Sequence, residues 1–168
     1  EDSERRALLN KKPDLQWSAK LPPTPYYQER VEELPANKDL KPGFYVLIAS
    51  GNPDFQEANN QIHATDFWVS NLALLVRTRG GEDKIEGFVL HAQSGEPIEG
   101  AEVQVWIRQD WNRPWEPGPI VKTDANGLFS VQGVHQKQHI LLARSKDDKL
   151  ASANEFWVHR GRDRTDPD

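Results

Sequence analysis

Neither cysteine nor methionine occurs among the 168 residues. Without cysteine the chain can form no disulfide, no thiol nucleophile and no thiolate metal site. That suits the cytosol, or bacterial secretion that does not rely on disulfides. With no initiator methionine, the opening "EDSERR" reads as a fragment or a processed product. The lack of a signal peptide therefore says nothing of where the parent protein resides. Long apolar runs are also missing. The longest, "FYVLIA" and "LALLV", have strand length and fall far short of the ~18 residues of a membrane span, so no direct membrane insertion is expected. Basic residues are not in excess: the net charge is −5 and the pI about 5.6. No stretch gathers Lys and Arg on one face, so a nucleic-acid partner is not expected.

What the chain does contain is turn formers and short alternating runs. Its 11 glycines and 12 prolines are spread along its length, as many turns between short strands require, and not clustered as in collagen or a disordered repeat. Residues 1–14 are charged and read as a helical turn or a loose arm. "WSAKL" from Trp17 and "YYQERVEEL" from Tyr26 read as short exposed strands interrupted by Pro22, Pro23 and Pro35. "LKPGFYVLIAS", with its Pro42-Gly43 turn and aromatic and β-branched residues, is the clearest strand of the first half. "NQIHATDFWVSN" is another. The step at Ser70-Asn71 separates two apolar runs without a loop and reads as a domain boundary.

The second half is more regular. "LALLVRT" ends at Gly80-Gly81. "KIEGFVLHA", "EVQVWI", "IVKT", "LFSVQG", "HQKQHILLARS" and "LASANEFWVHR" follow as strands, joined by "QSGEPIEGA", the long loop "RQDWNRPWEPGP", and the turns "DANG" and "KDDK". About seven strands at short spacing, with no convincing amphipathic helix, read as an antiparallel β-sandwich. In "TDANG", Asn126-Gly127 tolerates positive φ and Asp124 can bond the backbone two residues on, so the stretch reads as a turn. It shares letters with a calcium loop but lacks the alternate acidic ligands and the closing Glu. "SGEPIEGA" is likewise a turn and no phosphate loop, since no GK[ST] or helix follows.

Taken in order, "LKPGFYVLIAS", "WVSNLALLVR", "SGEPIEGAEVQVW", "KTDANGLFSV" and "ILLARSKDDK" resemble a segment of the bacterial alpha-2-macroglobulin family. The likeness covers roughly residues 15–160. The "GxPxxGAxV…TDxxG" part alone is shared by many extracellular sandwich modules. The resemblance implies an all-β chain of two consecutive macroglobulin-like β-sandwich domains. A charged arm would occupy 1–14, a first and possibly partial domain 15–70, a second domain 71–160 and a linker 161–168. It implies a non-catalytic scaffold fragment of a large secreted, periplasmic or envelope-anchored parent that traps proteases. Its partners would be neighbouring domains of the parent and, through the parent, proteases. The family's thioester lies in a Cys-Gly-Glu-Gln motif that is absent here, and no cofactor is expected.

Other constellations are weaker. His135 and His139 in "HQKQH" would be ~13 Å apart on a strand, too far for one ion. They lack the HExxH glutamate, and a solvated turn is expected. Ser94, His91, Asp110, Ser130 and His159 offer triad chemistry in type, yet no GxSxG elbow ties any three together. The adjacent acids Glu32-Glu33 and Asp147-Asp148 point to opposite faces of any strand and are expected to keep edges soluble. The candidate interaction loop is the one holding Trp111, Arg113 and Trp115. Exposed tryptophans there could stack on sugars or anchor a protein, or else fold back over the sandwich end. Trp17, Trp68, Trp106 and Trp157 are expected in cores or inter-domain contacts. Phe44, Val46, Ile48, Val103, Val105 and Phe129 are the expected packing residues. The second reading of the whole chain is a carbohydrate-binding or adhesive module built on the Trp111/Trp115 loop.

Overall fold

The computed structural model describes residues 7–35, 40–56, 58–78 and 83–158. The fold is all-β and antiparallel. Among the described residues it has ten strands: β1 (Gly43–Ser50), β2 (Ile62–Val69), β3 (Leu72–Thr78), β4 (Lys84–His91), β5 (Glu102–Arg108), β6 (Glu116–Lys122), β7 (Leu128–Gln132), β8 (Gln138–Ser145), β9 (Asp148–Ala151) and β10 (Phe156–Trp157). The chain divides into two units, Glu1–Leu40 with Val46–Asp66, and Lys41–Tyr45 with Phe67–Asp168. Among the described residues no helix is long and apolar enough to cross a membrane.

The larger unit holds the sandwich. One sheet runs β3-β4-β7; the other runs β10-β8-β5-β6, with β9 also on β8. Alternation decides what faces inward. In β4, Ile85 and Val89 are fully buried; in β5, Val103 and Val105; in β7, Phe129 and Val131; in β8, Leu141 and Ala143. With Leu72, Ala101 and Val158 these form one apolar core. Each fully buried aliphatic side chain contributes about 1.5–3 kcal/mol. Gly87 sits between Ile85 and Val89 because the Phe129 ring lies over it. A Cβ there would come within 2.6 Å of that ring and collide with the Leu75 carbonyl. The expected packing residues Val103, Val105 and Phe129 are therefore in this core.

The turns follow the sequence reading. Asp124 Oδ1 accepts the Asn126 and Leu128 amides, each at 2.9 Å, and Gly127 donates to the Asp124 carbonyl. Gly127 has φ +72°, and a Cβ on it would meet the Val89 carbonyl at 2.6 Å. In "KDDK" the β8–β9 hairpin turns on Lys146 and Asp147, since Ser145 pairs with Asp148 and Lys146 takes φ 54°.

Several expectations are corrected. β6 begins at Glu116, so "EPGP" belongs to a strand and not to the long loop. Prolines are tolerated because β6 is an edge strand, with a register shift opposite Gln104–Trp106. The last expected strand is broken: Ala151 pairs with Leu142 and Phe156 with His139, so four steps on one strand face two on β8 after Ser152, and the extra residues bulge out. The Gly80-Gly81 break lies outside the described residues.

In the smaller unit and the hairpin root, "WSAKL" and "YYQERVEEL" carry no strand. A 3-10 turn at Pro25–Tyr27 interrupts the second, with Tyr26 at φ 59°. Three prolines (Pro22, Pro23, Pro25) remove backbone donors, and Trp17, Leu21, Val31 and Leu34 are all exposed. β1 and β2 form a two-stranded sheet of their own. Phe44 and Val46 are thus exposed, not core residues, because among the described residues β1 pairs only with β2. Aromatic pairs run along it: Phe44 with Trp68 at 5.1 Å between centroids and Tyr45 with Phe67 at 5.7 Å. Trp17 and Trp157 are about half exposed, and neither Trp68 nor Trp106 is fully buried.

Candidate interaction loop

β5 ends at Arg108 and β6 starts at Glu116, so Trp111, Arg113 and Trp115 lie on the connection between two paired strands. Asp110 starts a tight turn in it: the Arg113 amide donates to the Asp110 carbonyl at 3.0 Å. The two tryptophans then part company. Trp111 is 83% exposed, and Arg113 is exposed beside it. Trp115 is half-buried, with the Arg108 guanidinium 4.5 Å from its ring centroid.

Arg108 itself is held on three sides. Its Nε donates to Gln138 Oε1 at 2.8 Å and its terminal nitrogen to Glu155 Oε2 at 2.7 Å, with 18% of the side chain exposed. A fixed cation over an indole contributes on the order of 1 kcal/mol at such a half-exposed site. Trp115 thus packs against Arg108, and Trp111 and Arg113 are the members of the group that face solvent.

The other candidates are spread out. His139 is fully buried and not part of a solvated turn, because it follows the inward phase of Leu141 and Ala143 along β8. Its Nε2 accepts the Val134 amide at 3.0 Å, which uses the lone pair a metal would need. His135 faces Asp83 at 3.4 Å. Among the described residues no three His, Asp or Glu side chains converge as a metal site would require. Ser94 bonds Glu96 within its own turn, Ser130 lies on β7, and His159 is outside the described residues. An open groove of ≈ 300 Å³ runs between β3 and the β9–β10 break, lined by Leu74, Val76, Thr78 and Phe156 among others.

Sequence reasoning missed the roles of Thr123 and Asp148. Thr123 is buried; its hydroxyl accepts the Ala101 amide at 2.8 Å and donates to the Ile98 carbonyl at 2.6 Å. Asp148 accepts the Ser70 hydroxyl at 2.8 Å and the Asn71 amide at 2.7 Å, while Ser70 Oγ accepts the Leu72 amide. Local sequence could have hinted at Thr123, which directly follows β6 and precedes the Asp124 turn. Nothing local points from Asp148 to a partner 78 residues away in sequence.

No known protein-family model matches the chain, and no curated protein matches it either. Among solved structures it is similar to native alpha-2-macroglobulin from Escherichia coli spanning domains MG0-NIE-MG1, at 15% identity and a TM-score of 0.49, covering 67% of this chain and 33% of that one. It is similar also to the NIE-MG1 portion of the same protein, at 16% identity and a TM-score of 0.49, covering 67% of this chain and 49% of that one. The chain spans a third to a half of the length of those structures.

Proposed function

We propose that this chain is a non-catalytic framework segment of a large extracytoplasmic bacterial protein of the alpha-2-macroglobulin type, in which residues 71–160 are one macroglobulin-like domain and 15–70 belong to the one before it. The observation that supports this reading is how the residues carrying the resemblance are used. In "GAxV…TDxxG", Gly100 donates to the Thr123 carbonyl and Thr123 to the Ala101 carbonyl, the Thr123 hydroxyl closes the same corner, and Asp124 ties the following turn. At the Ser70 step of "WVSNLALLVR" the hydroxyl is bonded to Asp148. Those polar groups are engaged in holding strand ends together, so the motif has a mechanical role. Protease trapping, secretion or envelope anchoring, and contacts with neighbouring domains belong to the proposed parent.

One observation favours a second reading. The exposure of Trp111 beside Arg113 is what a carbohydrate-binding or adhesive loop would present, though with a single free indole. One comparison separates the two. The full-length product that contains this sequence is mixed with a broad-specificity protease, and this 168-residue chain is screened on a glycan array. The framework reading expects cleavage of large substrates to be shielded while small peptides are still cut, and no glycan signal. Glycan binding by the chain that disappears in Trp111→Ala, with the protease unaffected, would replace it with the adhesive reading.

A further inference from the structure

The β7–β8 connection and the last described strand meet at one imidazole. His139 stands on β8 opposite Ile107 of β5 and Phe156 of β10. Its ring stacks on the Phe156 ring at 5.8 Å between centroids and 22° between planes. It is fully buried. The Val134 amide donates to Nε2 at 3.0 Å, so Nε2 carries the lone pair and the ring proton is on Nδ1. Nδ1 is sealed from solvent and has no hydrogen-bond partner among the described residues. Two residues after Val134, the Gln136 amide donates to the Val158 carbonyl at 3.0 Å, and Val158 is itself fully buried in the core. The connection 133–137 and the segment 156–158 are therefore fastened to each other as well as to His139.

A second proton on this ring has nowhere to go. It would have to enter at Nε2, where it would meet the Val134 N–H donor head on, and it would place a full charge among Ile107, Phe156 and Val158. The charged groups on the surrounding elements lie against other side chains, although Asp83 Oδ1 is buried without a hydrogen bond among the described residues. On β5, Arg108 is paired with Glu155, which leads into β10, at 2.7 Å. Before β4, Asp83 faces His135 of the connection at 3.4 Å. Lys137 reaches Gln109 Oε1 at 3.4 Å. Among the described residues no carboxylate lies within hydrogen-bonding distance of the His139 ring.

We propose that His139 is an acid-sensitive latch: protonation at Nε2 breaks the Val134 bond and releases the connection 133–137 together with β10 and Val158 from the end of the sandwich. This concerns the sandwich alone and is independent of the function proposed for the whole chain. Burial lowers the imidazole's pKa from its ordinary value; backbone groups of Lys137 and Phe156 pull the other way, but neither sits in hydrogen-bonding geometry with Nδ1. The sign follows from linkage. The closed form holds the neutral ring and the open form titrates near ~6.5. The latch is therefore at full strength above that value and weakens as the pH falls through it. One pH unit below that value, opening is favoured more by a factor that reaches about tenfold when the closed ring stays neutral throughout.

The test is hydrogen exchange by mass spectrometry on the 168-residue chain at pH ~7.5 and ~5.5, a window above the ordinary carboxylate range. Protection factors, which remove the intrinsic pH dependence, are expected to fall, by at most about tenfold, in peptides covering 133–139 and 153–158, while those of β4 and β5 hold. His139→Gln, which keeps an acceptor but cannot be protonated, should abolish the fall, and His135→Asn should leave it. An unchanged wild-type chain, a response that persists in His139→Gln, or one that vanishes in His135→Asn would overturn the latch. Should His139→Gln not fold, the ¹⁵N shifts of the wild-type ring decide. Protonation of Nε2 in step with the loss of protection supports it; loss of protection with Nε2 still unprotonated refutes it.

Discussion

At the scale of single residues, the polar side chains of the sequence motifs act as fasteners. Thr123 is the sharpest case, with one hydroxyl joining the Ala101 amide and the Ile98 carbonyl at a site almost closed to water. Thr123→Val conserves the shape but leaves both backbone groups buried and unsatisfied. That costs about 1–3 kcal/mol, more than the extra methyl can return. Urea unfolding should show a lower midpoint with an unchanged slope, and Thr123→Ser should recover most of the loss; equal midpoints for all three would show that the hydroxyl contributes nothing. "TDANG" was legible as a turn because its chemistry is local: Asp124 reaches two and four residues on. His139 was legible in principle, being in phase with Leu141 and Ala143. It was read as solvated because the polar letters "HQKQH" outweighed the alternation that follows.

Among the elements, the entry to β3 and the start of β9 are pinned together by Asp148. A carboxylate receiving a hydroxyl and a backbone amide at 2.8 and 2.7 Å makes charge-assisted bonds that an amide cannot both replace. Asp148→Asn is expected to lower stability by about 1 kcal/mol, whereas Asp147→Asn next to it should stay within about 0.5 kcal/mol. Equal effects would mean that the pair serves solubility, as its sequence suggested. Strand existence was easier to read than strand surroundings. β1 has the aromatic and β-branched letters of a core strand, yet its one partner is β2, so Phe44 and Val46 face out. Whether a second layer covers a strand depends on chain far away, which no local pattern encodes. Prolines misled in both directions: they hid the first half of β6, an edge strand that tolerates them, and failed to deter a strand reading of "YYQERVEEL".

At the scale of the whole molecule, fold class could be read from alternation and turn spacing, because the central strands of a sandwich bury every second residue; the count of about seven strands after Ser70 falls one short of the eight described, since "LASANEFWVHR" is split between β9 and β10. The site was less legible. Sequence grouped Trp111, Arg113 and Trp115, but the structure pairs Trp115 with Arg108 and leaves Trp111 out. The account rests on residues 71–158 being a self-supporting framework built on the Ile85, Val89, Val103, Val105, Phe129 and Leu141 core. Native-state hydrogen exchange across the full chain tests this most directly. Amides of β4, β5, β7 and β8 should exchange only through global unfolding and share one free energy, while residues 15–35 exchange at nearly the unprotected rate. Amides of β5 and β8 that exchange as fast as residues 15–35 would contradict it.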